Sequence, residues 1–280
     1  MILAKSRVEN KDFYEVLDYY LELIRGLHKK TYTFLAEKPA STNPIMFMQG
    51  GALNGTLKAN EKIGCLLPPM TMSFGITALN ELQYLYNGKS IYEDGQFAIE
   101  VMEYINKKAA EFKKEDHILY AIYGTPAESL CGLQVEQFRN KYGVIENVSS
   151  REYVSNSFHC GVWEDITPVE KQDSEERFWN LFNGGKIQYC KYPVSYNTEA
   201  IKTLVRRAMA KGFYEGINMS LAYCNECGHE QLAMDICPVC GSSDLTKIER
   251  MNGYLGYTRV NNKARFNKGK MAEIAERVSM

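Results

Sequence analysis

Apolar residues recur at helical spacing through residues 11–37, where Phe13, Val16, Leu17, Tyr20, Ile24 and Leu27 share one stripe. That stripe predicts a helix with its core face there. Helices are also predicted over residues 76–86, 95–114, 129–142 and 268–278. Residues 198–211 carry an amphipathic pattern, with Ile201, Leu204, Val205 and Ala208 on one side and Gly212 as the stop. Short apolar runs predict strands at Ile118–Tyr123 and Gly185–Tyr192, and a further strand is predicted over Phe213–Leu221. Asn43-Pro44, Gly50-Gly51 and Pro68-Pro69 concentrate turn signals in residues 40–70. Strands alternating with helices predict an α/β chain with parallel βαβ units. There is no repeat and no low-complexity tract.

Composition narrows the classes. The chain has 280 residues, 45% of them hydrophobic, and a formal charge of −1. That is enough apolar content for a sizeable core, and it offers no basic face for nucleic acid. No run approaches the ~20 apolar residues of a membrane span. The apolar start, Met1-Ile2-Leu3-Ala4, is too short for a signal peptide. A cytoplasmic protein is expected.

The cysteines change the picture. Cys224-x2-Cys227 is followed after nine residues by Cys237-x2-Cys240. Such pairs bring four thiolates to the corners of a tetrahedron, which suits Zn²⁺ in a closed, structural site. A glycine follows each pair, Gly228 and Gly241, where a knuckle turn calls for positive φ. Disulfides or unrelated buried thiols are the other reading, and the spacing favours metal in a reducing compartment. His229, beside a filled cysteine set, is expected to lie outside the ligand shell.

Ten positions after Cys240 begins Arg250-Met251-Asn252-Gly253-Tyr254-Leu255. A plain turn glycine is the commonest use of such a residue. A second reading is chemical. Loss of a hydrogen atom from the Cα of Gly253 leaves a planar carbon whose spin spreads into both flanking amides. Only glycine lacks the Cβ that would clash in a flat, buried loop.

Several segments, in this order, resemble the C-terminal part of an anaerobic (class III) ribonucleoside-triphosphate reductase. Ser73-Phe74-Gly75-Ile76-Thr77-Ala78-Leu79-Asn80-Glu81 is similar to a helix start of that family. Thr125-Pro126-Ala127-Glu128 resembles its T-P-x-E segment, and Tyr153 to His159 its Y-x-N-S-x-H segment. Asn183-Gly184-Gly185, the cysteine knuckles, the Gly253 loop and Arg265-Phe266-Asn267-x-Gly269-Lys270 complete the series.

The resemblance implies a ten-stranded α/β barrel of glycyl radical enzyme type. This chain would supply the barrel's later part (residues 1–219), a zinc ribbon (220–247), and the radical loop with a last helix (248–280). It implies anaerobic reduction of ribonucleoside triphosphates, with a radical on Gly253 installed by a radical-SAM iron–sulfur activase. The thiyl cysteine and the allosteric region would lie upstream, in an N-terminal half joined in cis or in trans. Cys65, Cys131, Cys160 and Cys190 match no such motif. A homodimer is implied for the complete enzyme.

The resemblance also implies that Asn156, Ser157, Thr125 and Glu128 line the substrate site. For Asn156-Ser157 a simple turn is the alternative. For Thr125 to Glu128 it is a helix cap, with Thr125 as cap, Pro126 at the first position and Glu128 three residues on. His159 is either a pocket residue or one satisfied locally. Arg250 and Lys270 either hold the radical loop through backbone carbonyls or are surface charges. A non-catalytic zinc-ribbon module, an inactive remnant and another glycyl radical enzyme are the competing classes.

Overall fold

The computed structural model describes residues 1–51, 55–192, 196–251, 253–261 and 263–279. Helices α1 (Ile2–Glu9), α2 (Phe13–Ala36) and α3 (Pro44–Phe47) come first. Strand β1 (Thr71–Ile76), helices α4 (Leu79–Asn87) and α5 (Gln96–Asp116), and strand β2 (Leu119–Gly124) follow. Next are α6 (Leu130–Tyr142), α7 (Pro168–Trp179), β3 (Gln188–Lys191), α8 (Thr198–Ala210) and β4 (Glu215–Asn218). The last part holds β5 (Leu221–Cys224), β6 (Glu230–Leu232), β7 (Leu245–Arg250), β8 (Leu255–Tyr257), β9 (Arg259–Val260), β10 (Lys263–Ala264) and α9 (Lys268–Ala275). The chain divides into two units: Met1–Phe74 with Glu103–Ile122, and Gly75–Met102 with Tyr123–Met280.

In the first unit, Asp12 starts α2 by accepting from the N–H groups of Tyr14 and Glu15 at 2.8 and 3.1 Å. The predicted stripe is a core face only over its first half. Val16, Leu17 and Leu21 are buried, whereas Ile24 and Leu27 are 37% and 62% exposed. Beyond that point α2 is held by charge: Arg25 grips Asp116 at 2.6 and 2.8 Å. The guanidinium also covers the Phe112 ring at 4.5 Å. Residues 40–70, expected as loop, enclose a small core of Ala40, Phe47, Ile63 and Leu67.

The second unit contains a parallel βαβ arrangement. β3 and β4 pair in parallel from Gln188↔Glu215 to Lys191↔Asn218, with α8 as the connection. The run predicted as one strand over Phe213–Leu221 is shared between two sheets. β4 pairs with β3, while β5 pairs antiparallel with β6 and β7 in a four-stranded sheet ordered β6-β5-β7-β8. α4 starts at Leu79 rather than residue 76, because β1 extends to Ile76 and Ala78 takes a left-handed φ of 60°. α7 has no sequence prediction because its inward face is polar, with Lys171, Gln172 and Glu175 all buried. Thr167 and Glu170 form a capping box at its start. Among the described residues no helix is long and apolar enough to cross a membrane.

Candidate functional site

Cys224 ends strand β5, Cys227 lies in the turn that follows, and Cys237 and Cys240 form a second turn. In each turn a glycine N–H closes on the first cysteine's carbonyl at 2.9 Å: Gly228 on Cys224 and Gly241 on Cys237. Both glycines have φ of 74°, as the knuckle pattern predicts. The four Sγ atoms lie within 4.8 Å of one another. Cys224 to Cys240 is 3.4 Å and Cys227 to Cys237 is 3.5 Å. A tetrahedral zinc with Zn–S of ~2.3 Å places its sulfurs ~3.8 Å apart, so the set fits that ion. The Cys227 N–H holds the Cys224 thiol below its ordinary range. Burial would raise Cys237, but the N–H groups of Cys240 and Val239 outweigh it and bring it to about 6. Ala222, Met234 and Leu245 pack beneath Cys224 and Cys237. His229 is half-buried, with its Nε2 3.5 Å from Gln231.

The ribbon sheet runs directly into the Gly253 loop, which connects β7 to β8 through Arg250↔Leu255. Met251 is fully buried, and its N–H donates to the Tyr254 carbonyl at 2.6 Å. Asn252 lies outside the described residues. Gly253 itself is exposed, contrary to the buried loop expected from the sequence. Its φ is not in the left-handed region, and a Cβ built there meets nothing within 4 Å among the described residues. Neither backbone conformation nor crowding demands a glycine at this position.

The base of the loop is clasped from α9. Arg277 donates from Nη1 to the Arg250 carbonyl at 2.6 Å. Its other nitrogens grip Glu273 at 3.0 and 3.1 Å, and Lys270 Nζ reaches the same carboxylate at 2.7 Å. Lys270 is fully buried, so it is not a surface charge. Arg250 Nε donates to the Ile217 carbonyl of β4 at 3.1 Å. Arg277 and Glu273 were not singled out in the sequence. Their spacing with Lys270 is that of an ordinary solvated helix face.

The candidate substrate residues gather at the ends of β1 and β2. A Cβ on Gly75 would run into the Thr125 hydroxyl, and one on Gly124 would lie 2.5 Å from Ser157 Oγ. Thr77 bridges to Asn156, and the Ala78 N–H donates to the Ser155 carbonyl at 3.0 Å. Glu81 accepts from the Ser155 N–H and hydroxyl at 2.8 and 2.6 Å. Asn156 Oδ1 accepts from the Cys131 thiol at 3.1 Å. Burial pushes that thiol up to about 12, so it keeps its proton. Thr125 Oγ1, Asn156 Nδ2, Ser157 Oγ and Gln134 Oε1 are buried without a hydrogen-bond partner among the described residues. Buried polar groups are ordinarily hydrogen-bonded, so four such atoms in these segments make them a candidate for polar contacts from outside the chain.

The helix-cap reading of Thr125 to Glu128 fails. α6 begins at Leu130, its N-cap Ser129 makes no side-chain bond, and the Thr125 hydroxyl caps nothing. Ala127 and Glu128 instead take left-handed φ values of 43° and 42°. That strain persists only where surrounding structure enforces it. Glu128 accepts from the Tyr254 hydroxyl at 3.2 Å. His159 is buried and satisfied on one side by Glu175 at 3.1 Å, while its Nε2 has no partner among the described residues.

A family model described as anaerobic ribonucleoside-triphosphate reductase matches residues 1–280. The enzyme of that name from Haemophilus influenzae is 29% identical over 288 aligned positions, covering 99% of this chain and 41% of that protein. The one from Enterobacteria phage T4 is 30% identical over 247, covering 85% of this chain and 40% of its relative. A crystal structure of the anaerobic ribonucleotide reductase from Thermotoga maritima, in complex with dATP and CTP, shares the fold. Its TM-score is 0.64 at 17% identity, over 92% of this chain and 41% of that one. The chain thus spans about two fifths of the length of the curated relatives it matches. On these grounds it belongs to the anaerobic ribonucleoside-triphosphate reductase family.

Proposed function

We propose that this chain stores the radical of an anaerobic ribonucleoside-triphosphate reductase on Gly253 and furnishes part of its substrate site. The observation that carries the reading is the contrast between Gly253 and its surroundings. The loop base is fixed by a buried charge cluster, yet among the described residues nothing structural requires the residue at its tip to be glycine. A chemical demand for a Cα bearing two hydrogens accounts for it.

In this reading a radical-SAM activase removes a hydrogen atom from Gly253, and the radical passes to a cysteine thiol in the remaining part of the reductase, in cis or in trans. The thiyl takes the ribose 3′ hydrogen, and the 2′ hydroxyl leaves as water. Formate or a thiol pair supplies the reducing electrons. Thr125, Asn156 and Ser157 offer their unpartnered atoms to ribose or phosphate, and Glu128 flanks them. The protein's share is to position the sugar and exclude water, while the radical supplies the difficult chemistry. Strands β1 to β4 with their helices form the later part of a ten-stranded barrel, a reading supported by the Thermotoga maritima likeness. Residues 220–247 act as a zinc ribbon, and 248–280 as the radical loop and last helix. The complete enzyme is a homodimer in the cytoplasm.

The test is anaerobic electron paramagnetic resonance of the assembled reductase after treatment with activase, S-adenosylmethionine and reductant. A doublet present in the parent and absent in Gly253→Ala is expected. No doublet from a folded, zinc-loaded assembly would overturn the proposal in favour of a non-catalytic zinc-ribbon module or an inactive remnant.

A further inference from the structure

Among the described residues, the Tyr254 side chain joins the Gly253 loop to the candidate substrate segment. The Tyr254 hydroxyl donates to Glu128 Oε2 at 3.2 Å, linking positions 126 residues apart. Tyr254 is held in place for this. Its carbonyl accepts from Met251 N–H at 2.6 Å, which closes the turn around Gly253. The Arg265 guanidinium stands 5.7 Å from its ring. Glu128 is aimed from the other side by the left-handed pair Ala127 and Glu128. The carbonyls of this pair accept the first N–H groups of α6, Leu130 on Ala127 at 2.7 Å and Cys131 on Glu128 at 3.2 Å, so the strained turn leads into the helix. The same turn carries the Glu128 carboxylate that meets the loop.

We infer that Tyr254 is a positioning residue whose hydrogen bond to Glu128 registers Gly253 against the Thr125–Asn156–Ser157 cluster. The inference rests on the proposed role of Gly253. The bond reaches the radical-bearing residue's immediate neighbour and ends on a residue of the substrate segment. It therefore couples loop position to substrate geometry without touching the reacting atoms.

Two measurements test it. The first is amide hydrogen exchange on the zinc-loaded full chain, which needs no radical. Peptides covering residues 253–257 should exchange about three- to tenfold faster in Tyr254→Phe and in Glu128→Ala, the scale of one lost hydrogen bond. Glu128→Gln keeps an acceptor oxygen and should stay within about twofold of the parent. Unchanged exchange in Tyr254→Phe overturns the inference. The second is deoxynucleotide product per glycyl radical spin in the activated reductase. Tyr254→Phe should keep the parent's spin count and lose about three- to tenfold in product per spin. Equal product per spin overturns the positioning role alone. A parent without any spin overturns the role of Gly253, and the positioning role with it.

Discussion

Gly132 and Gly269 meet backbone to backbone: a Cβ on Gly269 would lie 2.5 Å from the Gly132 Cα and 2.6 Å from the Glu152 carbonyl. Helices α6 and α9 therefore touch without intervening side chains. Asn267 secures the same contact by donating to the Ser129 carbonyl at 2.7 Å while capping the Lys270 N–H at 3.0 Å. This junction draws the helix that follows the Gly253 loop onto the helix that follows the candidate substrate segment. Gly269→Ala is expected to cost about 1–3 kcal/mol through overpacking. Gly253→Ala, with open space around it, should change stability by less than about 0.5 kcal/mol. Denaturant unfolding of the two variants separates the glycine needed for packing from the one free of it.

Metal analysis of the purified chain should find one zinc for the cluster of Cys224, Cys227, Cys237 and Cys240. Cys237→Ser or chelation should release it and unfold the ribbon, seen as loss of exchange protection over 221–247, because a closed thiolate site contributes folding energy outright.

Thr125→Ala and Ser157→Ala each remove a buried hydroxyl that has no partner among the described residues. Each should leave stability unchanged or raise it by about 0.5–1 kcal/mol, the opposite of a normal hydrogen-bonded position. The same variants should lose about ten- to a hundredfold in kcat/KM in the assembled reductase if the hydroxyls bind substrate. A fall in both stability and activity would mark them as structural.

Arg277→Met leaves Glu273 with Lys270 as its remaining cation and the Arg250 carbonyl without this donor. Glu273 keeps Lys270, so no buried charge is stranded, and the cost is that of the lost charge-assisted hydrogen bonds, about 1.5–3 kcal/mol. Thermal unfolding should show a loss of that order, and exchange should speed up at residues 249–251.

Glu215 predicts a pH dependence. Burial raises its carboxyl to about 7, only partly offset by hydrogen bonds from Tyr192 and Gln172. Between the ordinary value of 4.5 and about 7 the folded chain holds the proton more tightly than the unfolded chain. This group's contribution is therefore complete below pH 4.5 and is lost as pH rises through about 7. Glu215→Gln should stabilise the chain by about 3 kcal/mol at pH 8 relative to its effect at pH 4. A pH-independent difference between parent and variant would refute the assignment.

What the sequence could and could not reveal follows from which interactions are local. The knuckles are local, so the cysteine spacing alone located the four thiols and their left-handed glycines. The amphipathic α8 and the apolar β2 run are local too, and both form within about two residues of their predicted bounds. α7 escaped because its buried face is polar over the first two turns, Lys171, Gln172 and Glu175, and apolar only at its end, Phe178 and Trp179. Lys270, Glu273 and Arg277 escaped for the same reason: a buried ion cluster and a solvated helix face have one spacing and differ only in tertiary surroundings. Thr125 to Glu128 misled because the residue types of a cap are also those of a polar site, and only φ distinguishes them. Asn156 and Ser157 are candidates through resemblance, whereas Cys131, which bonds Asn156 from far away in sequence, required the fold.

The clasp from Arg277 to Arg250 also fixes an order of events during synthesis. Arg277 is translated after the loop it holds, together with Glu273 and the Gly269 contact. A nascent chain that has already made Gly253 still lacks the residues that tie down the loop's base. The ribbon can close around its metal first, while the loop stays unset until α9 has been made and docked. A chain cut short between these points would carry an intact four-cysteine cluster and an unanchored glycine.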